Sequence, residues 1–161
     1  MRLLRGRWRS EAGGALVELA VALPVLVVVF AATIDFARVF YTSMALTNAA
    51  RAGTQYGAHN LAQSGDLTTM RTRAEGATNT TGMTAVASRL CQCASNTGAF
   101  SATAGTANDC TSLEPAACPQ GHRVITVTVT VTKTFTTIIT GFPAIPGSVN
   151  LSRTATMRVH Q

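Results

Sequence analysis

The sequence predicts an α+β protein in which one long N-terminal helix packs on a small antiparallel sheet, with a disulfide-stapled loop region. Three stretches carry that expectation. Residues 12–34 form an apolar run with a single charge, Glu18. Residues 35–56 continue it with no proline and mostly good helix formers. Residues 123–135, RVITVTVTVTKTF, alternate with period two, Ile125, Val127, Val129 and Val131 against Thr126, Thr128, Thr130 and Thr132, the pattern of a half-buried strand.

The apolar run is long enough to cross a bilayer, since ~20 apolar residues cover its hydrocarbon thickness. Arg2, Arg5, Arg7 and Arg9 precede it. Short basic flanks stay in the cytoplasm, which sets the tail inside and the chain after about residue 35 outside. A cleavable secretory signal is the competing expectation. The run is longer than the roughly 7–15 residues of a signal core, and no small-x-small site closes it before Asp35. The helical pattern also passes the membrane edge, giving a single helix from Gly14 to near Gly57. At 1.5 Å per residue such a helix is roughly 60 Å long. Its first half belongs in lipid and its second half on a domain or on neighbouring copies. Phe36, Val39, Phe40, Ser43, Leu46, Thr47 and Ala50 share a helical face and form the expected packing stripe. Pro24 removes a backbone hydrogen bond and should kink or locally melt the turn at Ala20–Leu23.

The chain therefore divides into a basic cytoplasmic leader (1–13), a transmembrane and assembly helix (14–57) and an extracytoplasmic α+β domain (58–161). In that domain, residues 57–65 read as a loop, and Asp66 is a good N-cap for a helix from Leu67 to about Ala77. Arg71 and Glu75 are spaced to support each other along that helix. Asn79–Gly82 is turn-like, and 83–92 reads as a second short helix leading into a strand. Residues 94–121 are small, polar and loop-like. The strand at 123–135 should turn Ile125, Val127, Val129 and Val131 inward and its threonines outward. Because an unpaired strand of this kind invites aggregation, it should sit centrally. A proline-rich turn over 141–147 leads to a final strand, Val149 to Val159, paired antiparallel with it.

Cys91, Cys93, Cys110 and Cys118 lie beyond the apolar run, an even and clustered set that reads as two disulfides in an oxidising compartment. A zinc site would want paired C-x2-C spacings, which are absent. Cys91 and Cys93 are too close to join each other, so each pairs with one of the later two, in either connectivity.

The net charge of +6 is half accounted for by the N-terminal tail, and the remaining arginines are scattered without interleaved aromatics. Nucleic-acid binding is not expected on that distribution. His59, His122 and His160 are far apart, no nucleophile stands in a motif with a base, and no phosphate-binding glycine loop occurs. No enzyme activity, metal or cofactor is expected. Asp35 and Arg38 read as a local ion pair at the outer membrane surface.

At the start of the apolar run stands Gly13-Gly14-Ala15-Leu16-Val17-Glu18-Leu19, which resembles the processing site of type IV-like prepilins. The Leu-Pro step at 23–24, the Asp35-Phe36-x-Arg38 step, and Asn48-Ala49-Ala50-Arg51-x-Gly53 with Tyr56 extend the likeness. Together with the ending at 151–159 and the four cysteines, these residues resemble the TadE/TadG-type minor pilins and pseudopilins of tight-adherence (Flp) pilus systems. Leu19 departs from that pattern, which often carries an aromatic residue there. The resemblance implies a pilin-like fold and cleavage by a prepilin peptidase between Gly13 and Gly14, leaving Glu18 as the fifth mature residue. It also implies assembly through a helix that includes Pro24, Asp35, Phe36, Arg38, Phe40, Asn48, Arg51 and Tyr56. The implied partners are other pilin-like subunits, the peptidase, an inner-membrane assembly platform and the lipid bilayer. The implied location is the bacterial inner membrane, single-pass, with the C-terminal domain periplasmic or extracellular. An uncleaved, membrane-anchored periplasmic binding or adhesion module is the alternative.

Overall fold

The computed structural model describes residues 8–95, 97–100, 110, 118, 121–138 and 147–160. Arg2, Arg5 and Arg7, much of the loop expected over 94–121 and nearly all of the turn expected over 141–147 lie outside the described residues. The elements run in the order α1 (Trp8–Ala58), α2 (Leu61–Gly65), α3 (Leu67–Gly76), β1 (Thr84–Ser95), β2 (Gly121–Thr136) and β3 (Ser148–Arg158).

The long helix is continuous over 51 residues and carries Pro24 inside it. The turn at Ala20–Leu23 is helical rather than melted, since one missing hydrogen bond does not stop a long apolar helix. The segment expected to be a loop at 57–65 contains the five-residue α2, whose N-cap Asn60 accepts the Gln63 N–H at 2.8 Å. Asp66 caps α3 as expected, accepting the Thr69 N–H at 2.9 Å. Glu75, by contrast, accepts the backbone N–H of Ala85 at 3.0 Å and so ties the end of α3 to the first strand.

The sheet has three antiparallel strands in the order β1-β2-β3, so the alternating strand is central, as expected. The register sets Val131 beside Ala85 and Arg153, and Val127 beside Arg89 and Met157. Ile125, Val127, Val129 and Val131 are fully buried on one face. On the other, Thr128 pairs with Thr156 and Thr130 with Thr154 across the strands at 3.1 and 2.9 Å.

Residues 83–92 form a strand, not the short helix expected. Their alanines favour a helix locally, but a central strand with two open edges needs a second partner, and tertiary pairing overrides the propensity. Three inward positions of β1, Ala85, Ala87 and Cys91, are small and buried, with Arg89 between them on the same face, while Val86 points out and is 61% exposed. That inversion of the usual large-in, small-out pattern leaves room for α3, which packs over β1 while α1 lies over β2 and β3. Leu46, Ala49, Ala50, Met70 and Ala74 of the helices close the core against the valines of β2.

Two disulfides join Cys91 to Cys110 and Cys93 to Cys118, with Cα separations of 5.6 and 5.5 Å. They fasten the long connection between β1 and β2 to the end of β1. The chain's far end is fastened too, since the N–H of His160 donates to the Ala58 carbonyl at the end of α1.

Candidate assembly helix

The long helix falls into two parts with different surroundings. Every residue from Gly13 to Phe30 is exposed, including Leu16, Val21 and Phe30 at 67%, 70% and 68%. The helix is long and apolar enough to cross a membrane, and its most apolar window is not buried at all within the chain. Apolar area on this scale is unstable in water and stable in hydrocarbon, so the segment is compatible with a single-pass anchor. Glu18 has no hydrogen-bond or ion-pair partner among the described residues. Among the described residues nothing approaches a side chain built at Gly13 or Gly14 within 4 Å, so the two glycines serve no packing contact there.

Beyond Ile34 the helix is docked. Asp35, Leu46, Ala49, Ala50, Gly53, Thr54 and Gly57 are buried, a stripe at spacings of three and four along one face. The stripe is built mainly of small residues because α1 comes very close to α3. A Cβ at Gly53 would stand 2.8 Å from the Met70 carbonyl oxygen and 3.2 Å from Val129 Cγ2. Only a glycine fits there without a shift of backbone.

This docking face corrects the packing stripe expected from periodicity. Leu46 and Ala50 lie in it, but Phe36 and Phe40 do not: they are 73% and 59% exposed. With Tyr41 and Met44, at 70% and 47%, they form an aromatic surface that continues the apolar exterior of the first half. Periodicity located an apolar face but placed its centre too far toward the phenylalanines. The sign that could have corrected it is the run of small residues Ala49, Ala50, Gly53 and Gly57, which marks close helix packing better than bulk does.

At the junction of the two parts stands Asp35, which is buried and holds two elements together. Its Oδ1 accepts from Arg38 Nη1 at 2.9 Å and its Oδ2 accepts the backbone N–H of Ile138 at 2.8 Å. Arg38 in turn lies over the Phe135 ring, 5.0 Å from its centroid. The ion pair expected on the surface is thus half of a tie between α1 and the end of β2. Sequence alone could not find Ile138, because the group that matters is a backbone amide.

The remaining candidates separate cleanly. Pro24, Asn48 and Arg51 are exposed and touch no other element through a hydrogen bond or ion pair among the described residues. Tyr56 instead serves the fold: its hydroxyl reaches Asp66 Oδ2 at 3.4 Å and Arg73 lies over its ring. Hydrogen bonds from the Thr69 hydroxyl, then from the Thr69 N–H, hold the Asp66 carboxyl below its usual range, against a smaller opposing effect of burial; Tyr56 adds to the lowering. Among the described residues, no group of three His, Cys, Asp or Glu side chains could hold a metal ion.

This helix is where the chain matches a known family. Residues 13–55 match the family described as TadE-like protein. The match begins at Gly13 and ends just before Tyr56, so the TadE-like segment is the bare half of α1 together with nearly all of its docked half. It bears out the resemblance drawn from the glycine-glutamate motif and the residues that follow. The TadE-like family is a structural, non-enzymatic kind of protein, and the match suggests involvement in Tad pilus systems, with pilin-like partners. No curated protein and no solved structure matches the chain.

Proposed function

We propose that this protein is a minor pilin or pseudopilin that takes part in assembling a tight-adherence (Flp) pilus. The observation that carries this reading is the TadE-like match over a helix whose apolar first half, Gly13 to Phe30, is exposed at every residue. In this reading residues 1–13 are a cytoplasmic leader, 14–57 the assembly helix and 58–161 the extracytoplasmic domain. A prepilin peptidase cuts between Gly13 and Gly14. The glycines, which no intramolecular contact requires, give that enzyme an unobstructed backbone. The cut creates an α-amine at Gly14, positive below a pKa of about 8. A neighbouring subunit's Glu18 can then neutralise it. A charge in hydrocarbon is costly alone and tolerable when paired, so the pair would fix the height at which helices join.

The alternative, an uncleaved anchor carrying a periplasmic adhesion module, has one observation in its favour. The helix runs unbroken from Trp8 through the Gly13–Gly14 bond, and a protease needs that bond extended. Two adjacent glycines lower the cost of opening it, at about 0.5–1 kcal/mol each relative to alanine. Intact-mass measurement of the protein purified from membranes separates the two. A chain beginning at Gly14 and copurifying with pilin-like proteins is the expected result. A chain retaining the leader would establish the anchor instead. Glu18→Ala should abolish partner association, and unchanged association would remove the registry role.

A further inference from the structure

A cleft of about 580 Å³ opens between α1 and β2, immediately beyond the bare half of the helix. Ile34, Ala37 and Phe135 make much of its lining apolar, and Arg38 and Lys133 set two cations in it beside the hydroxyls of Tyr41 and three threonines. We propose that this cleft binds the phosphate of an anionic phospholipid headgroup in the leaflet where α1 leaves the membrane. The inference rests on α1 spanning a bilayer.

Height is the first reason. From Gly14 to Ile34 the helix rises about 30 Å, the thickness of the hydrocarbon core. Arg38 is one turn further, about 6 Å, which is the headgroup layer. Tyr41, with its ring largely exposed, is the side-chain type that favours that layer. Charge is the second reason. Asp35 is the carboxylate that touches this cluster, and against Arg38 and Lys133 it leaves one net positive charge. Because Asp35 also accepts the Ile138 N–H, its negative charge is shared with the backbone.

Preorganisation is the third. The guanidinium of Arg38 is held between Asp35 and the Phe135 ring, yet its side chain is 47% exposed. One hydrogen bond to Asp35 is its only side-chain bond among the described residues, so further N–H donors remain for a phosphate. The planar fork of arginine suits phosphate oxygens, with lysine adding a point charge. Lys133 is steadied by donation to the Thr81 carbonyl.

The test uses the full chain, extracted in mild detergent and examined by native mass spectrometry with phosphatidylglycerol, phosphatidylcholine or inorganic phosphate. Phosphatidylglycerol should be retained about fivefold better than phosphatidylcholine, the effect of one basic contact at a membrane surface. Inorganic phosphate at equal concentration should not displace it. Arg38→Gln should lose about that fivefold preference, and Lys133→Gln part of it. Asp35→Asn keeps an acceptor for the Ile138 N–H but removes the carboxylate, so it should bind phosphatidylglycerol more tightly. A merely structural Asp35–Arg38 pair would weaken retention in both variants, which would overturn the proposal. Equal retention of the two lipids, a preference that survives Arg38→Gln, or displacement by free phosphate would overturn it too. Alkaline carbonate extraction tells the two failures apart. A chain released from membranes loses both the span and the lipid site, whereas an integrated chain without lipid preference loses the site alone.

Discussion

Along α1 the residues from Gly13 to Phe30 are all exposed, whereas Asp35, Leu46, Ala49, Ala50, Gly53, Thr54 and Gly57 are buried. The exposed half is the more apolar of the two, rich in valine and leucine, and the docked half has the smaller side chains. In a protein that meets only water this would be upside down. It makes sense when the first half is solvated by hydrocarbon, where large aliphatic groups cost nothing, and the second must let a helix approach a carbonyl of α3. Hydrophobicity along this helix reports the solvent, and side-chain size reports the packing.

The contrast can be broken most strongly at Leu46. It is fully buried, so Leu46→Ala should cost about 2–5 kcal/mol of domain stability. Leu26, 51% exposed and far more hydrophobic in its surroundings, should cost the domain nothing when changed to alanine. Denaturant unfolding of the full chain in detergent micelles measures both, and equal losses would show that the bare half is part of the folded unit.

Gly53 sharpens the same contrast at a smaller scale. An added methyl group would meet the Met70 carbonyl and Val129, so Gly53→Ala should cost about 1–3 kcal/mol through overpacking. At Gly57 the obstacle is the end of the Met70 side chain, which can swing aside, so Gly57→Ala should cost less. Gly13→Ala meets nothing and should leave the domain's unfolding midpoint where it is. If Gly53→Ala were as silent as Gly13→Ala, the close approach of α1 and α3 would be wrong.

The legibility of this fold in the sequence follows the same division. The long helix was readable from its unbroken apolar run and the proline-free stretch that continues it, and the central strand from its period of two. The β1 strand was not, because its inward face carries Ala85, Ala87 and Cys91 with Arg89 among them, and small and charged side chains leave no hydrophobic period to read. Cysteine count and spacing pointed to two bridges but not to Cys91–Cys110 and Cys93–Cys118, since both connectivities satisfy the same sequence. In α1 the motif residues were legible and the side they face was not. A motif lists residue types, and the docking of α1 is decided by where α3 and the sheet happen to stand.

At Asp66 the docked half is held by a cap, with Tyr56 of α1 touching the same carboxylate. Its carboxyl is lowered in the folded chain, first by the Thr69 hydroxyl. A lowered carboxyl stabilises the fold above its unfolded value of about 3.9 and loses that contribution as pH falls through the lowered folded value. Unfolding midpoints compared at pH 6 and near pH 3 should therefore fall more for the native chain than for Asp66→Asn. A parallel fall in both would assign the acid sensitivity to other groups. The loss should be smaller than that at Gly53, since the cap is partly open to water.

The smallest effect on the chain itself is expected at Phe36 and Phe40, and there the comparison between halves becomes a statement about assembly. Both lie in the docked half by position but in the bare half by environment, exposed and continuous with the apolar exterior. Both side chains are mostly exposed, so replacing either with serine should change domain stability by no more than about 0.5 kcal/mol. If a second helix covers this surface, as the proposed function requires, the same substitutions strip aromatic area from that contact. Aromatic side chains dominate such interfaces because each covers a large area with few rotatable bonds. Chemical crosslinking in intact membranes, between cysteines placed on the exposed face of α1 and its pilin-like partners, should fall sharply in Phe36→Ser with Phe40→Ser. Unchanged crosslinking with unchanged stability would leave the aromatic surface as lipid-facing only, and the partner contact would then have to lie wholly within residues 14–34.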